Sequence, residues 1–339
     1  MSQPNKEFVN IKVHTQYSIC EGAAKIDDLA NYCKLNKIKA IGIADSYNLC
    51  GALEFAEKIS KVGTQPIIGT QINIVSDNTI GKITLYATTE QGYKNLTKLS
   101  SLSYLKDKNS NDPYCTIDDL KEHSSDLILL TGNFKGFFGK LFFSNKLRSI
   151  KKIISILKLT FMDRFYIEIQ RHGENQEANF ENYLLNISFE ENIPIIAGQE
   201  VYYITPDMAE AHDALICIGE KEFVDDKNRF RFNNQHYLKK SNEVVKLYQD
   251  IPEALENNYN FPLRFNFKPK KSKPILPSLS TNKDVSIEDE LKNHAIKGLN
   301  NRLENFILKK NINKSSNEIK KVYEDRLYHE LNIISSMDY

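Results

Sequence analysis

The sequence is poor in cysteine and carries almost no net charge. Its five cysteines, Cys20, Cys33, Cys50, Cys115 and Cys217, form no Cys-x-x-Cys pair. An odd number of scattered cysteines argues against a disulfide framework and a zinc knuckle, and it predicts buried thiols in a reducing compartment. The 45 basic and 44 acidic side chains leave a net charge of +1. Strong DNA binding by the chain alone is therefore not expected, because such binding usually needs a basic excess or a basic stripe.

Several sequence patterns are also missing. There is no run of about 18 apolar residues and no apolar segment near the start, so no membrane span or signal peptide is predicted and the chain is expected in the cytoplasm. The Gly-x-x-x-x-Gly-Lys-Ser/Thr loop and the Gly-x-Ser-x-Gly elbow are absent. After residue 265 no apolar strand carries an Asp-x-Asp pair. This excludes from that segment the paired-carboxylate magnesium site that nucleotidyl transfer requires.

Short β-branched runs alternate with helical patterns over the first two thirds of the chain. The pattern predicts seven strands, at residues 8–13, 40–44, 66–75, 83–87, 127–130, 165–169 and 194–197. Strands and helices in alternation favour parallel strands covered by helices, in a barrel or a doubly wound sheet. Seven strands fit a slightly irregular α/β barrel, and 339 residues suffice for such a barrel with a small appendage.

Polar side chains directly follow five of the predicted strands. They are His14, Asp45, Gln71, Gln170 with His172, and Gln199 with Glu200. The carboxyl ends of the strands in a parallel α/β barrel carry the functional loops, so we expect these side chains to converge on one pocket. Polar residues end many strands, so each one is weak evidence alone, whereas five together favour a site.

The composition changes near residue 265. Four prolines, Pro262, Pro269, Pro274 and Pro277, exclude a regular helix or central strand and indicate a linker over residues 266–282. Residues 283–339 then contain two amphipathic helix patterns, each starting with a capping-box pattern, at residues 286–289 and 315–318. About 60 residues form a poor core by themselves. We therefore predict a first domain over residues 1–265 and an incomplete helical segment over residues 283–339.

Eight short stretches of the sequence resemble, in the same order, those of one protein family. They lie at residues 8–22, 43–53, 66–71, 91–96, 166–173, 209–213, 250–257 and 333–339. Together they resemble the polymerase and histidinol phosphatase (PHP) domain at the start of bacterial replicative DNA polymerase III alpha subunits. The resemblance implies a PHP-type irregular (β/α)7 barrel over residues 1–265, followed by the first helices of a polymerase palm region.

The same resemblance implies a role within a longer protein. Members of the family are DNA-directed DNA polymerases, which are nucleotidyltransferases of DNA replication that use Mg²⁺. The implied partners are a separate proofreading exonuclease, which docks on the PHP domain, and other subunits of the polymerase III holoenzyme. Because the chain lacks the polymerase carboxylates, we expect it to be inactive alone, to need no cofactor and to contact DNA only within the full protein.

Metal-binding PHP domains hold their ions with histidines and carboxylates. By resemblance, the vestigial pocket consists of Lys12, His14, Glu21, Asp45, Ser46, Gln71, His172, Glu200 and Tyr202, with a further family histidine position at Lys82. A protonated lysine has no lone pair, and a hydroxyl or neutral amide is a poor substitute for imidazole or carboxylate. We therefore expect no catalytic residue and no multinuclear metal site. A single weakly held ion on His14, His172 and Glu200 is left open.

Lys12 is expected to supply the positive charge that an ion supplies elsewhere in the family. It shares one face of its strand with His14, two residues away. We hypothesise that Lys12 bridges two or more of Glu21, Asp45 and Glu200, so that the pocket becomes a structural ion-pair network. The alternative is a Lys12 side chain that points outward.

The remaining histidines and Tyr202 are given structural roles. Tyr202 is expected to fill the barrel mouth, and His212 is expected to pack on a helix. The four other histidines are predicted at the surface, namely His123, His236, His294 and His329.

Two alternative functions remain. A metal-dependent phosphoesterase or 3′–5′ exonuclease would keep the barrel and some ligands, although the changes at Lys12, Ser46 and Gln71, and at Tyr202, weigh against it. A free-standing binding module would keep only the surface on which the exonuclease docks.

Overall fold

The computed structural model describes residues 7–106, 112–274, 285–310 and 315–337. They belong to two compact units, of which the first ends at Lys271 and the second starts at Ser272. The strands are β1 (Lys12–Val13), β2 (Ala40–Ser46), β3 (Gln65–Ser76), β4 (Thr79–Ala87), β5 (Tyr114–Thr116), β6 (Leu127–Leu130), β7 (Phe165–Gln170), β8 (Ile195–Gly198) and β9 (Glu200–Val201). The helices of the first unit are α1 (Ile26–Asn36), α2 (Ala52–Lys61), α3 (Glu90–Leu105), α4 (Ile117–Glu122), α5 (Phe137–Phe143), α6 (Leu147–Phe161), α7 (Glu177–Glu191), α8 (Ala209–Glu220), α9 (Ser241–Leu247) and α10 (Pro252–Asn260).

Eight strands form one continuous path that nearly closes on itself. Their order is β8-β7-β6-β4-β3-β2-β1-β9, and β5 pairs beside β3. The two ends of the path, β8 and β9, are consecutive in the chain, and Gln199 alone separates them. This extended segment pairs with β7 through its first half and with β1 through its second half. The ring therefore has seven strand positions, and the predicted irregular α/β barrel is confirmed.

One pair of strands departs from the predicted parallel arrangement. The strand β4 runs antiparallel to both of its neighbours, β3 and β6. Its connection to β3 is a two-residue turn at Asp77 and Asn78, whose φ angles are 50° and 54°. Positive φ at both positions is typical of the hairpin turn whose twist matches the twist of paired strands. No room is left for a covering helix between β3 and β4, so the expectation of parallel strands was wrong for β4.

Buried apolar side chains hold the barrel together in three clusters. One contains strand residues such as Ile67, Ile128 and Tyr86 but no residue of the covering helices α1–α10. The rings of Phe261 and Phe265, which follow α10, lie 5.4 and 6.3 Å from the Tyr86 ring in the same cluster. The two other clusters join strand residues to helix residues. Full burial of such a side chain stabilises the fold by roughly 1.5–3 kcal/mol.

The cysteines follow the prediction in part. All five are free, and Cys33, Cys115 and Cys217 are buried as expected. Cys50 is exposed and Cys20 is half-buried, so the prediction of buried thiols was wrong for Cys50. Within the described ranges, no helix is both long and apolar enough to cross a membrane.

The described part of the second unit is helical. It contains α11 (Ile287–Arg302), a π-helical turn (Leu303–Ile307), α12 (Leu308–Lys310) and α13 (Ser316–Ser336). The helix α11 starts as predicted, since the Ser286 hydroxyl accepts a hydrogen bond from the Asp289 N–H at 3.1 Å. Ser315 makes no such bond, so the second predicted capping box was wrong. Residues 275–282 of the predicted linker lie outside the described residues, and the proposed domain limits stay a prediction.

Candidate functional site

The barrel brings the predicted polar side chains together at the carboxyl ends of its strands. His14 follows β1, Ser46 ends β2, Gln71 lies within β3, and Glu200 starts β9. Gln71 Nε2 donates to Glu200 Oε1 at 2.6 Å, and His14 Nε2 lies 3.2 Å from the same oxygen. Glu21 joins them from the loop after β1 through a 2.5 Å hydrogen bond from the Ser46 hydroxyl. Residues far apart in the sequence thus form one pocket, here called the barrel mouth.

Lys12 forms an ion pair across the barrel interior. Its Nζ lies 2.5 Å from Glu168 Oε2, and both side chains are 0% exposed. Glu168 belongs to β7, which does not neighbour β1 in the sheet. The hypothesis that Lys12 bridges two or more of Glu21, Asp45 and Glu200 was therefore wrong, because the hydrogen bonds of those carboxylates come from other donors. The alternative of an outward Lys12 was wrong as well.

Glu168 is a site residue that sequence reasoning missed. It stands inside an apolar strand rather than at its end, where functional residues were sought. A signal was present, since Glu168 and Gln170 are two residues apart and so share the inner face of β7. Gln170 Nε2 indeed donates to Glu168 Oε1 at 2.8 Å.

Glu21 is neutralised by a second lysine. Lys82 Nζ lies 2.7 and 2.9 Å from the two carboxylate oxygens of Glu21, and 2.9 Å from the Ser46 hydroxyl. Burial alone would raise the pKa of Glu21, but the charge of Lys82 holds that pKa below its ordinary value. Burial would likewise lower the pKa of Lys82, and the charge of Glu21 raises it instead. Lys82, which the resemblance set at a further family histidine position, thus places an ammonium group against Glu21.

Glu200 is buried but has several donors. Besides Gln71 and His14, the Asn133 side-chain amide donates to its second oxygen. Burial opposes ionisation of Glu200, yet the His14 hydrogen bond and the Lys12 charge hold its pKa well below the ordinary value. The oxygens of Glu200 are therefore already engaged by protein groups.

His172 has no ring nitrogen free for a metal ion. Its Nε2 accepts a hydrogen bond from the Glu200 backbone N–H at 3.2 Å. Its Nδ1 lies 3.3 Å from Glu177 Oε1. The Glu177 carboxylate also accepts hydrogen bonds from the backbone N–H groups of His172 and Gly173. Glu177, the first residue of α7, thus fixes the orientation of the His172 ring.

Asp45 is hydrogen-bonded to the loop after β1. Its carboxylate accepts hydrogen bonds from the Thr15 N–H at 2.6 Å, the Thr15 hydroxyl at 2.8 Å and the Ser18 hydroxyl at 2.7 Å. Burial raises the pKa of Asp45 despite these donors. These contacts fix the loop that carries Glu21 toward the mouth.

Aromatic side chains cover the mouth. Tyr202 stacks on His14 with ring centroids 4.5 Å apart, as expected for a residue that fills the opening. His236 was predicted at the surface, but it is buried and stacks on His172 at 4.2 Å. The reason is that the segment before α9 folds back and pairs with the chain after β9, through a bridge from Tyr203 to Tyr237.

The other histidines follow the prediction more closely. His212 is packed on α8, where its Nε2 lies 2.8 Å from the Glu21 carbonyl oxygen, so its predicted place is confirmed. His294 and His329 are exposed as predicted, whereas His123 is half-buried.

An open cleft of about 220 Å³ lies above these residues. Its lining combines the half-buried carboxylate of Glu21 and the buried carboxylate of Glu200 with the cations Lys82, Lys135 and Lys140. Among the described residues, no group of three or more histidine, cysteine, aspartate or glutamate side chains has the geometry to hold a metal ion. The donors present do not fit the multinuclear site of a metal-binding PHP domain, because ammonium groups and amides contact the carboxylates that ions would need.

Comparison with known proteins gives a consistent set of relatives. The sequence profile of the PHP domain matches residues 10–172. The chain is 36% identical to the DNA polymerase III subunit alpha of Caulobacter vibrioides over 343 residues, and 35% identical to that of Rickettsia bellii over 338 residues. For Vibrio cholerae the identity is 29% over 343 residues. These alignments cover 98%, 98% and 100% of this chain, but only 29%, 28% and 29% of the relatives.

A solved structure is also similar at a distance. It is a two-domain protein from Bacteroides vulgatus that contains a predicted PHP-like metal-dependent phosphoesterase. The TM-score is 0.37 at 12% identity, and the match covers 70% of this chain and 62% of that protein. This likeness is too distant to bear on the chemistry of the barrel mouth.

Proposed function

Since this chain carries a PHP domain and is a homologue of DNA polymerase III alpha subunits along nearly its whole length, we propose that it is the PHP portion of such a subunit, with a structural rather than catalytic barrel mouth. The chain spans about 29% of the length of these relatives. We accordingly propose that a longer cytoplasmic protein carries out DNA-directed DNA synthesis with Mg²⁺ ions and binds DNA. In that protein, this portion supports the polymerase part.

One observation carries the structural role. Two ammonium groups, those of Lys12 and Lys82, contact Glu168 and Glu21 at 2.5 and 2.7 Å. Carboxylates gathered in a barrel mouth repel one another unless cations lie among them, and in a metallophosphoesterase those cations are the metal ions. Lysine ammonium groups neutralise the charge, but they cannot activate a water molecule as a Lewis acid does. The pocket thereby keeps its shape but cannot activate water for hydrolysis through a metal ion.

The metal content of the purified chain tests this proposal. We expect well below one ion per chain by elemental analysis after purification in Mn²⁺ or Zn²⁺. The His14→Ala variant serves as the control, because any ion held at the mouth would be lost from it. Two or three ions per native chain that disappear in the variant would contradict the proposal.

Activity distinguishes the alternative function. We expect no metal-dependent hydrolysis of p-nitrophenyl phosphate or of a single-stranded oligonucleotide from its 3′ end. Turnover that needs Mn²⁺ and is lost in His14→Ala would instead establish a metal-dependent phosphoesterase or 3′–5′ exonuclease.

The docking of a separate proofreading exonuclease is proposed from homology to the alpha subunits. A support that has lost its own hydrolytic site can keep an outer surface for a partner enzyme. Size-exclusion chromatography of the full chain with the exonuclease subunit from the same organism should give one co-eluting peak. Separate elution at micromolar concentrations would remove the docking role and leave the support role in place.

A further inference from the structure

A pocket of the first unit that could accept a small molecule lies away from the barrel mouth. It is a pocket of about 400 Å³ lined by Val9 before β1, Ala40 at the start of β2 and Gln65 at the start of β3. These residues mark the amino ends of the strands, whereas the mouth lies at the carboxyl ends. The seven residues of β2 separate the two by roughly 20 Å at about 3.3 Å per residue. The pocket is therefore a separate feature, here called the amino-end pocket.

The walls of the amino-end pocket are mainly apolar. Phe8 and Val9 are buried, and they face the pocket together with Ile38, Pro262 and Leu263. Leu263 stays 82% exposed at the rim. A volume of this size falls within the range of about 300–1,000 Å³ that is usual for small-molecule sites, which are likewise apolar with a few polar groups. Such walls favour an apolar ligand body.

The charges around the pocket are mostly positive. Lys39, Lys239 and Lys240 line it, and Glu7 is the one carboxylate among its described lining residues. In the parts of the chain that the structure describes, no carboxylate lies within ion-pair distance of any of these three lysines. An excess of unpaired cations beside an apolar wall attracts an anion.

Lys239 adds a buried positive charge to those around the pocket. Its side chain is almost fully buried, with 3% of the residue exposed, and its ammonium donates to the Gln235 carbonyl oxygen. The ammonium also lies 4.4 Å from the centre of the Tyr237 ring. Burial lowers the pKa of Lys239 to about 8, so most of its charge persists at neutral pH. Burial of this ammonium is costly, the charges of Glu243 and Glu177 offset the cost only in part, and a bound anion nearby would reduce it further.

We propose that the amino-end pocket binds a small apolar carboxylate, with its hydrocarbon body between Phe8, Ile38 and Pro262 and its acid group toward Lys39 and Lys240. The proposal goes beyond the support role and does not depend on it. The volume of the pocket favours a single small molecule over a helix or strand of another protein.

Titration of the full chain with 2-naphthoate tests the proposal, with the fluorescence of the probe and isothermal calorimetry as readouts. We expect saturable binding at one site. The uncharged analogue 2-naphthylmethanol should bind about tenfold more weakly, because it lacks the acid group. The double variant Lys39→Gln, Lys240→Gln should weaken naphthoate binding by a similar factor.

A matched control separates a built site from general attraction to positive charge. Lys34 and Lys246 are exposed, belong to α1 and α9 beside the pocket, and do not line it. The double variant Lys34→Gln, Lys246→Gln removes the same charge and should leave the affinity within about twofold. Circular dichroism checks that both variants fold.

Four results would overturn the proposal. The first is an absence of saturable naphthoate binding up to about 1 mM. The second is equal affinity for the acid and the alcohol, and the third is equal weakening in both double variants. The fourth is binding only after deletion of residues 1–6, which would identify the chain's own first residues as the occupant. None of these results would alter the metal content that tests the support role.

Discussion

At the scale of single residues, Lys12 places a buried positive charge in the interior of the barrel. The charge of an ammonium resembles that of an ion, but it offers no lone pair and no open coordination position. Lys12 is paired with Glu168 inside the barrel, and both side chains are fully buried. Breaking such a pair leaves one uncompensated charge in a medium of low dielectric constant.

The Lys12→Met variant should therefore lose about 3–5 kcal/mol of unfolding free energy, since Glu168 is left buried and unpaired. Urea unfolding followed by far-ultraviolet circular dichroism measures this loss. The double variant Lys12→Met, Glu168→Leu should recover most of it, because both charges are removed together. A single variant within about 1 kcal/mol of the native chain would show that Glu168 finds another partner.

A second pair makes stability depend on pH. Arg229 Nη1 donates to Asp213 Oδ1 at 2.6 Å, and the Arg229 side chain is 1% exposed. This hydrogen bond lowers the pKa of Asp213 below its ordinary value of 3.8. The folded state thus binds the proton less readily than the unfolded state. The stabilisation is complete above about pH 3.8 and is lost as the pH falls through the lower folded value.

The Asp213→Asn variant should accordingly be less stable than the native chain at pH 7, by about 1.5–3 kcal/mol. The difference should shrink as the pH falls below 3.8, the ordinary pKa of that carboxyl. Urea midpoints of both proteins at pH 7 and pH 3 check the trend. A difference that stays constant with pH would assign the effect to packing rather than to charge.

At the scale of elements, the hairpin of β3 and β4 introduces the antiparallel strand into the barrel. Its turn places Asp77 and Asn78 at positive φ, and the partners Ser76 and Thr79 close it. Asparagine and aspartate tolerate this left-handed backbone better than β-branched residues do. The turn therefore fixes the register of the longest strand pair in the sheet.

The Asn78→Val variant should lose about 1–2 kcal/mol of stability, because valine is strained at a φ of 54°. Thermal and urea unfolding measure the change. Ser76→Val is the matched control, since position 76 is extended and half-buried in β3, where valine is favourable. Equal effects of both substitutions would argue against backbone strain as the cause.

The elements also show what could be predicted from the sequence. Each of the seven apolar runs overlaps a strand, and polar residues at strand ends such as His14 and Glu200 do meet, because both features are local patterns on a barrel. The direction of β4 was missed because it depends on a two-residue turn that resembles an ordinary loop. The Lys12–Glu168 pair has no fixed spacing in the sequence, since it joins strands across the interior. His236 was misplaced because a loop covers it only after the chain folds back.

At the scale of the whole molecule, the first unit contains its own core. All residues of the three buried apolar clusters lie between Phe8 and Phe265. In the described part of the second unit, the buried apolar side chains are Leu303, Ile319 and Leu331. The first unit thus has what a domain needs to fold alone.

A chain of residues 1–271 should therefore unfold cooperatively, with a urea midpoint close to that of the main transition of the full chain. Circular dichroism and tryptic digestion of both proteins give the comparison. The His14→Ala form of the short chain should remain folded, which would show that the barrel does not depend on metal. Aggregation or non-cooperative unfolding of the short chain would mean that the first unit needs residues after 271.

The junction at Gln199 has a consequence for assembly. Because the segment of β8 and β9 connects β7 to β1, the free strand edges of this sheet in the described residues are short, namely the outer sides of β8 and β9 and the three residues of β5. Sheets with exposed edge strands are prone to associate edge to edge into fibrils, whereas closed barrels resist this association. We therefore expect a partner protein to contact mainly the helices and loops of this barrel, and we do not expect copies at high concentration to pair into fibrils.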